Sequence, residues 1–151
     1  MATNEHRLTE VITRSVEETV ALGERWGKEL GSGWVVALDG DLGAGKTQLA
    51  RGIARGLGFG GRVQSPTFAL INIYEGGRVP MFHLDLYRLD DETAVFDAGL
   101  AEYLDEPEGL TVVEWAARWL PEAGPVKKLR RVCLESPSES ERRISYEDLG
   151  V

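Results

Sequence analysis

Apolar positions recur along this chain in distinct rhythms, and each rhythm marks an element. Val16, Thr19, Val20, Gly23, Trp26, Gly27 and Leu30 fall at helical spacing, so one face of a helix turns inward over this stretch. Ser15 followed by Glu18 forms a capping box at its start, each side chain able to satisfy an orphan N–H. Glu10 to Arg14 predicts a short strand before this helix, and Gly31 a stop after it. Trp34 to Leu38 is apolar without alternation, as expected of a strand buried on both faces in a parallel sheet. Leu49, Ala50, Ile53, Ala54 and Leu57 give a second helical stripe that opens at Lys46. Gly58, Gly60 and Gly61 bring it to a stop,.

Thr67 to Tyr74 and Val79 to Leu86 are β-rich runs on either side of Glu75, Gly76, Gly77 and Arg78, which predicts a hairpin. Asp91 to Leu104 predicts a helix with Ala94, Val95, Ala98 and Leu104 inward, set against the cost of Gly99 within it. Leu110 to Val113 predicts another buried strand, ending in Glu114 and Trp115; Pro125 to Glu135 and Arg142 to Tyr146 predict late strands toward a sheet edge. The alternation of strands and helices gives an α/β class, its central sheet mostly parallel with antiparallel additions.

Composition narrows the function more than the fold. With 151 residues the chain suits a single domain over residues 1–151, with 1–9 as a loosely ordered tail, and a domain this long buries about 68–70% of its unfolded surface. A hydrophobic content of 42% and a charged content of 28% are ordinary for a soluble protein,. No apolar run suits a membrane span or a secretory signal, so the cytoplasm is the expected compartment. The net charge of -8 argues against independent binding of nucleic acid, which needs a basic face to displace counterions,. The lone Cys133 excludes an internal disulfide, and its apolar-alternating setting predicts a small buried hydrophobe,.

The chemistry concentrates between the second predicted strand and the second helix, in GDLGAGKT from Gly40 to Thr47. This fits G-x-x-x-x-G-K-[ST]. Gly40, Gly43 and Gly45 let the backbone curl so that successive N–H groups face phosphate oxygens, and the following helix adds its positive end. Lys46 offers a flexible point charge to the β- and γ-phosphates, and the Thr47 hydroxyl is a hard oxygen ligand for magnesium.

Hydrolysis needs acids as well. Asp85, in the run His83 to Arg88, and Glu114, after Leu110 to Val113, each sit at the carboxyl end of an apolar strand, where parallel sheets place their ligands. Each is a candidate for a metal or water role, and the residues alone leave open which does which. Ser65, Pro66, Thr67 and Phe68 offer two hydroxyls on a stiffened loop, readable as a switch or as a plain turn. Taken alone, Trp115 reads as core, His83 as packed or hydrogen-bonded structure rather than a base, and Arg88 as a surface group. A guanine-nucleotide switch, a small-molecule kinase and a non-catalytic binding module are the alternatives; the guanine-reading N-K-x-D motif and an arginine-rich lid are both missing.

Four motifs in series, GDLGAGKT at Gly40 to Thr47, SPTF at Ser65 to Phe68, HLDLYRL at His83 to Leu89 and VEW at Val113 to Trp115, closely resemble the TsaE (YjeE) family. These are small P-loop ATPases of bacterial tRNA threonylcarbamoyladenosine biosynthesis. The likeness covers roughly residues 10 to 120. It implies ATP and Mg2+ as cofactors and nucleotide contacts at Asp41, Gly43, Ala44, Gly45, Lys46, Thr47, Gln48 and Trp115. It implies metal ligation by Thr47 and Glu114, and catalytic roles for Asp85, Thr67 and Lys46. It also implies TsaD-like and TsaB-like partners, with tRNA met only through their complex and no membrane involved.

Overall fold

The computed structural model describes residues 8–40, 45–63, 71–86, 99–115 and 128–149. Seven strands, β1 (Thr9–Thr13), β2 (Trp34–Gly40), β3 (Ile71–Tyr74), β4 (Met81–Asp85), β5 (Leu110–Glu114), β6 (Lys128–Glu135) and β7 (Arg142–Leu149), form one sheet in the order β1-β7-β6-β2-β5-β4-β3. Strand β2 is parallel to both β5 and β6, and β4 is parallel to β5. Strand β3 joins β4 antiparallel, and β7 runs antiparallel to both β6 and β1. The mostly parallel centre with antiparallel additions is therefore the fold that the alternation of apolar runs implies. Among the described residues no helix is long and apolar enough to cross a membrane.

Helices α1 (Val16–Glu29) and α2 (Lys46–Gly56) cover one face of the sheet, and the short α3 (Ala101–Leu104) lies on the other. The strand period of two divides each buried strand between them. Val36, Leu38, Val112, Val132 and Leu134 pack beneath α1 and α2. Val35, Ala37, Leu84, Val113 and Leu129 pack with Leu100 and Leu104. Both faces of β2 and β5 are thus apolar, which is why neither strand alternates in the sequence.

The two long helices meet backbone to backbone. A Cβ on Gly23 would lie 2.4 Å from the Leu49 carbonyl oxygen, one on Gly27 2.2 Å from that of Ile53, one on Gly52 2.1 Å from that of Val20, and one on Gly56 2.1 Å from that of Glu24. Residue numbers rise together along both helices, so they lie parallel and start at the same end of the sheet. At that end Ser15 caps α1 by accepting from the Glu18 N–H at 3.0 Å, while the Glu18 carboxylate accepts from the N–H of Arg14 rather than that of Ser15. At the other end the β3–β4 turn is tied to both helices. The Arg78 guanidinium donates to the Gly27 and Leu30 carbonyls at 2.7 and 2.8 Å, and its backbone N–H donates to the Leu57 carbonyl. Arg130 fastens the far side: buried between the Trp26 and Tyr146 rings, it donates to both Asp148 oxygens. Burial opposes its charge, but the Asp148 pair outweighs this and holds the guanidinium above its ordinary pKa,.

Several sequence expectations are corrected. Helix α1 ends at Glu29, with Leu30 extended and its N–H bonded to the Trp26 carbonyl at 2.8 Å, so the stop precedes Gly31. The long helix expected from Asp91 to Leu104 is broken at Gly99, whose φ of 76° is left-handed; helix follows only over Ala101–Leu104, and 91–98 lie outside the described residues. The late strands β6 and β7 do lie toward one sheet edge, as expected, with β1 as the edge strand itself. Cys133 is exposed, not buried. It alternates away from Val132 and Leu134, and its partners in register are the polar Asp39 and Ser145.

The helix contact makes a prediction of sign. In an open helix Gly52→Ala would gain about 1 kcal/mol of propensity. Here the new methyl meets backbone that cannot rotate away, and overpacking costs typically about 1–3 kcal/mol or more. We expect a net loss of stability by denaturant unfolding; an unchanged or raised midpoint would mean that the helices do not touch in this way.

Candidate functional site

Strands β2, β4 and β5 end side by side, and their last residues build the site. Asp85 closes β4 and Glu114 closes β5, opposite one another in register. Both carboxylates point to the α1/α2 face, at 3% and 4% exposure. They line a cleft of about 480 Å³ together with Gly45, Lys46, Thr47, Gln48 and Trp115.

Local backbone geometry aims these groups. Gly45, the residue before α2, takes φ 102° and ψ 12°, a left-handed turn that glycine adopts without the strain a Cβ brings. Lys46 then begins the helix. Its side chain is buried, its ammonium donates to the Gly40 carbonyl at the end of β2, and it lies 4.0 Å from the centre of the Trp115 ring. Trp115 turns sharply after β5 with φ 63°, a conformation that costs a bulky residue about 1–3 kcal/mol. Two backbone bonds hold that turn: Trp115 N–H to the Leu38 carbonyl at 3.0 Å, and Leu86 N–H to the Glu114 carbonyl at 3.1 Å. The strain thus lays the indole over the lysine, where a cation gains from the ring face. Behind the acids, His83 is fully buried with Nε2 2.6 Å from Glu114 Oε2.

The sequence-predicted residues Gly45, Lys46, Thr47, Gln48, Asp85, Glu114 and Trp115 therefore share one cleft. Asp41, Gly43, Ala44 and Thr67 lie outside the described residues. Sequence reasoning missed the rest of the lining: Arg14, Ser15, Val16 and Thr19 at the start of α1, Glu139 and Ser140 between β6 and β7, and Arg142 at the start of β7. A signal for the first group did exist. Gly23 with Gly27 and Gly52 with Gly56 share a four-residue spacing that marks a close-contact face on each of α1 and α2.

The arrangement favours an anion beside the helix starts, where both N-terminal ends carry partial positive charge and Lys46 adds a full one. Hard oxygen donors, the Thr47 hydroxyl and the Asp85 and Glu114 carboxylates, line the same cleft. Among the described residues no group of three or more His, Cys, Asp or Glu side chains forms a metal cage. Any cation here would rely on ligand oxygens too, as magnesium with phosphates does.

Fold and site together define an α/β protein in which a glycine-rich turn, a buried lysine and two strand-end acids meet at the carboxyl ends of a parallel sheet. The model for threonylcarbamoyl adenosine biosynthesis protein TsaE matches residues 13–144, and the chain belongs to that family, as its four motifs implied. Curated relatives described as tRNA threonylcarbamoyladenosine biosynthesis protein TsaE include one from Bacillus subtilis, 38% identical over 91% of this chain and 84% of the relative. Another, from Mycobacterium leprae, is 44% identical over 71% of each. The solved crystal structure of Bacillus subtilis YdiB superposes with a TM-score of 0.79 at 31% identity, covering 98% of this chain and 90% of that one.

The left-handed Trp115 predicts an unusual order of stabilities. Trp115→Gly and Trp115→Ala lose the same indole contacts, but alanine keeps a Cβ that disfavours this backbone by roughly 1–2 kcal/mol. We expect the glycine variant to be the more stable by about 1 kcal/mol in urea; the reverse order would place Trp115 in ordinary backbone.

Proposed function

We propose that this protein is a magnesium-dependent ATPase serving tRNA threonylcarbamoyladenosine biosynthesis, cleaving ATP to ADP and phosphate. The observation that carries this reading is the meeting of Lys46, Asp85 and Glu114 in one cleft at the end of GDLGAGKT. ATP lies with its β- and γ-phosphates at the start of α2, where N–H groups and Lys46 face them. Magnesium suits the residues present, since it keeps water and phosphate ligands and asks few oxygens of the protein. Thr47 and Glu114 would hold it, and when bound it would offset charge on the β- and γ-phosphates.

Within this reading Lys46 leaves the Gly40 carbonyl and the Trp115 ring to meet the phosphates. Asp85 orients the attacking water or takes its proton. The new P–O bond forms as the bond to the ADP oxygen breaks. Thr67 closes over the γ-phosphate as a switch residue.

The names of the relatives support placing this chemistry in tRNA threonylcarbamoyladenosine biosynthesis, and the cytoplasm is the compartment we propose for it. TsaD-like and TsaB-like proteins are the partners we propose. They, rather than this acidic chain, hold the tRNA, and ATP cleavage resets their assembly between turnovers. Phosphoryl transfer depends mainly on positioning and charge stabilisation, so the isolated chain is expected to be slow.

Two experiments check this. Asp85→Ala should lower phosphate release by about a hundredfold or more with little change in nucleotide affinity by calorimetry; unchanged turnover removes Asp85 from the mechanism. Adding TsaD-like and TsaB-like proteins should raise phosphate release by the wild type and support tRNA modification, whereas Lys46→Ala should do neither. Indifference of the wild type to these partners would sink the pathway role while leaving the ATPase reading intact.

A further inference from the structure

Deepening the reading of Glu114 as a magnesium ligand, and resting on it, we infer that His83 is a positioning residue that fixes the Glu114 carboxylate and aims one of its oxygens at the cleft. Strands β4 and β5 are parallel, with His83 in register with Val112 and Asp85 with Glu114. His83 therefore sits one step beneath Asp85 on the same face and reaches diagonally to the next strand. Its Nε2 lies 2.6 Å from Glu114 Oε2. The histidine side chain is 0% exposed and that of the glutamate 5%. Glu114 lines the cleft and His83 does not, so His83 reaches the ligand only through Glu114.

The direction of this bond follows from what each nitrogen can satisfy. His83 Nδ1 is buried and has no hydrogen-bond partner among the described residues. A buried N–H without an acceptor carries the full cost of lost hydration. The proton therefore belongs on Nε2, where it is donated to Glu114 Oε2, and Nδ1 is left as a bare lone pair. A glutamate at a strand end otherwise has several rotamers to choose from. With Oε2 held from behind, Oε1 remains for a cation, and the carboxylate is oriented before one arrives. Apolar packing alone does not call for a histidine in a row that otherwise holds Met81, Val112 and Leu110.

The test uses two His83 variants, one control variant and three readouts. His83→Phe keeps a ring of similar size and removes the donor, whereas His83→Gln returns an N–H close to the Nε2 position. Binding of an ADP analogue is measured across a Mg2+ titration and again in EDTA. For His83→Phe we expect the half-saturating Mg2+ concentration to rise about ten- to hundredfold with binding in EDTA unchanged, and His83→Gln to recover most of the loss. A wild-type Mg2+ dependence in His83→Phe overturns the proposal, as does an equal loss of binding with and without Mg2+. Glu114→Ala is the control for the underlying reading: if it leaves Mg2+ dependence unchanged, the magnesium role of Glu114 falls, and that of His83 with it. If His83→Phe does not fold, nitrogen-15 NMR of the wild-type imidazole decides. A protonated, hydrogen-bonded Nε2 is expected, and a proton on Nδ1 overturns the proposal.

Discussion

The backbone contact between α1 and α2 governs the geometry of the cleft. Four glycines, two on each helix, let carbonyl oxygens and Cα atoms approach where any side chain would hold them apart. The contact repeats at a spacing of four residues on both helices, so it fixes register as well as distance. Register in turn decides which residues of α1 stand beside the start of α2. Slid by one turn, α1 would take Val16 and Thr19 away from Gly45 to Gln48, and the cleft would lose a wall. The Arg78 bonds to the far ends of both helices act in the same direction, because they anchor the pair to the β3–β4 turn and hence to the strand that carries His83 and Asp85.

How legible this was in the sequence depended on whether an element was defined by its own residues or by its neighbours. Strands β2 and β5 and helices α1 and α2 carry their patterns in full, and the acids at the strand ends followed once those strands were placed. Cys133 was misjudged because alternation gives the period of a strand and not which phase faces the core. That phase was set by the α1/α2 cluster, which claimed Val132 and Leu134. The expected helix up to Leu104 is interrupted at Gly99, where a left-handed turn outweighs the helical spacing of its neighbours. The part of the cleft made by Glu139, Ser140 and Arg142 was not legible at all. The β6–β7 connection arrives there through sheet order, which short-range pattern does not encode.

His83 shows a third kind of difficulty. Its residue type was compatible with packing, hydrogen bonding or catalysis, and the sequence favoured the first two. The structure agrees that it is buried and bonded, yet its partner is one of the cleft acids. A residue can be structural in its surroundings and still matter to chemistry through what it holds. In the same way Trp115 is both the end of a core strand and the cover of Lys46, and its strained backbone links those two positions.

Charge explains why these pieces belong together. The chain as a whole is acidic, at -8, while the cleft gathers Lys46, Arg14, Arg142 and two helix starts against two nearly buried carboxylates. A triphosphate brought to the positive side lies close to Asp85 and Glu114, and like charges in a partly dry site repel far more strongly than they do in water. Under the proposed reading a divalent cation held by Thr47 and Glu114 would remove this conflict by offsetting the negative charge of both sides. Without it the acids that hydrolysis needs would oppose the substrate that hydrolysis consumes. Metal and nucleotide binding should therefore be strongly coupled, and a carboxylate already oriented by its own buried partner is the form best suited to that coupling.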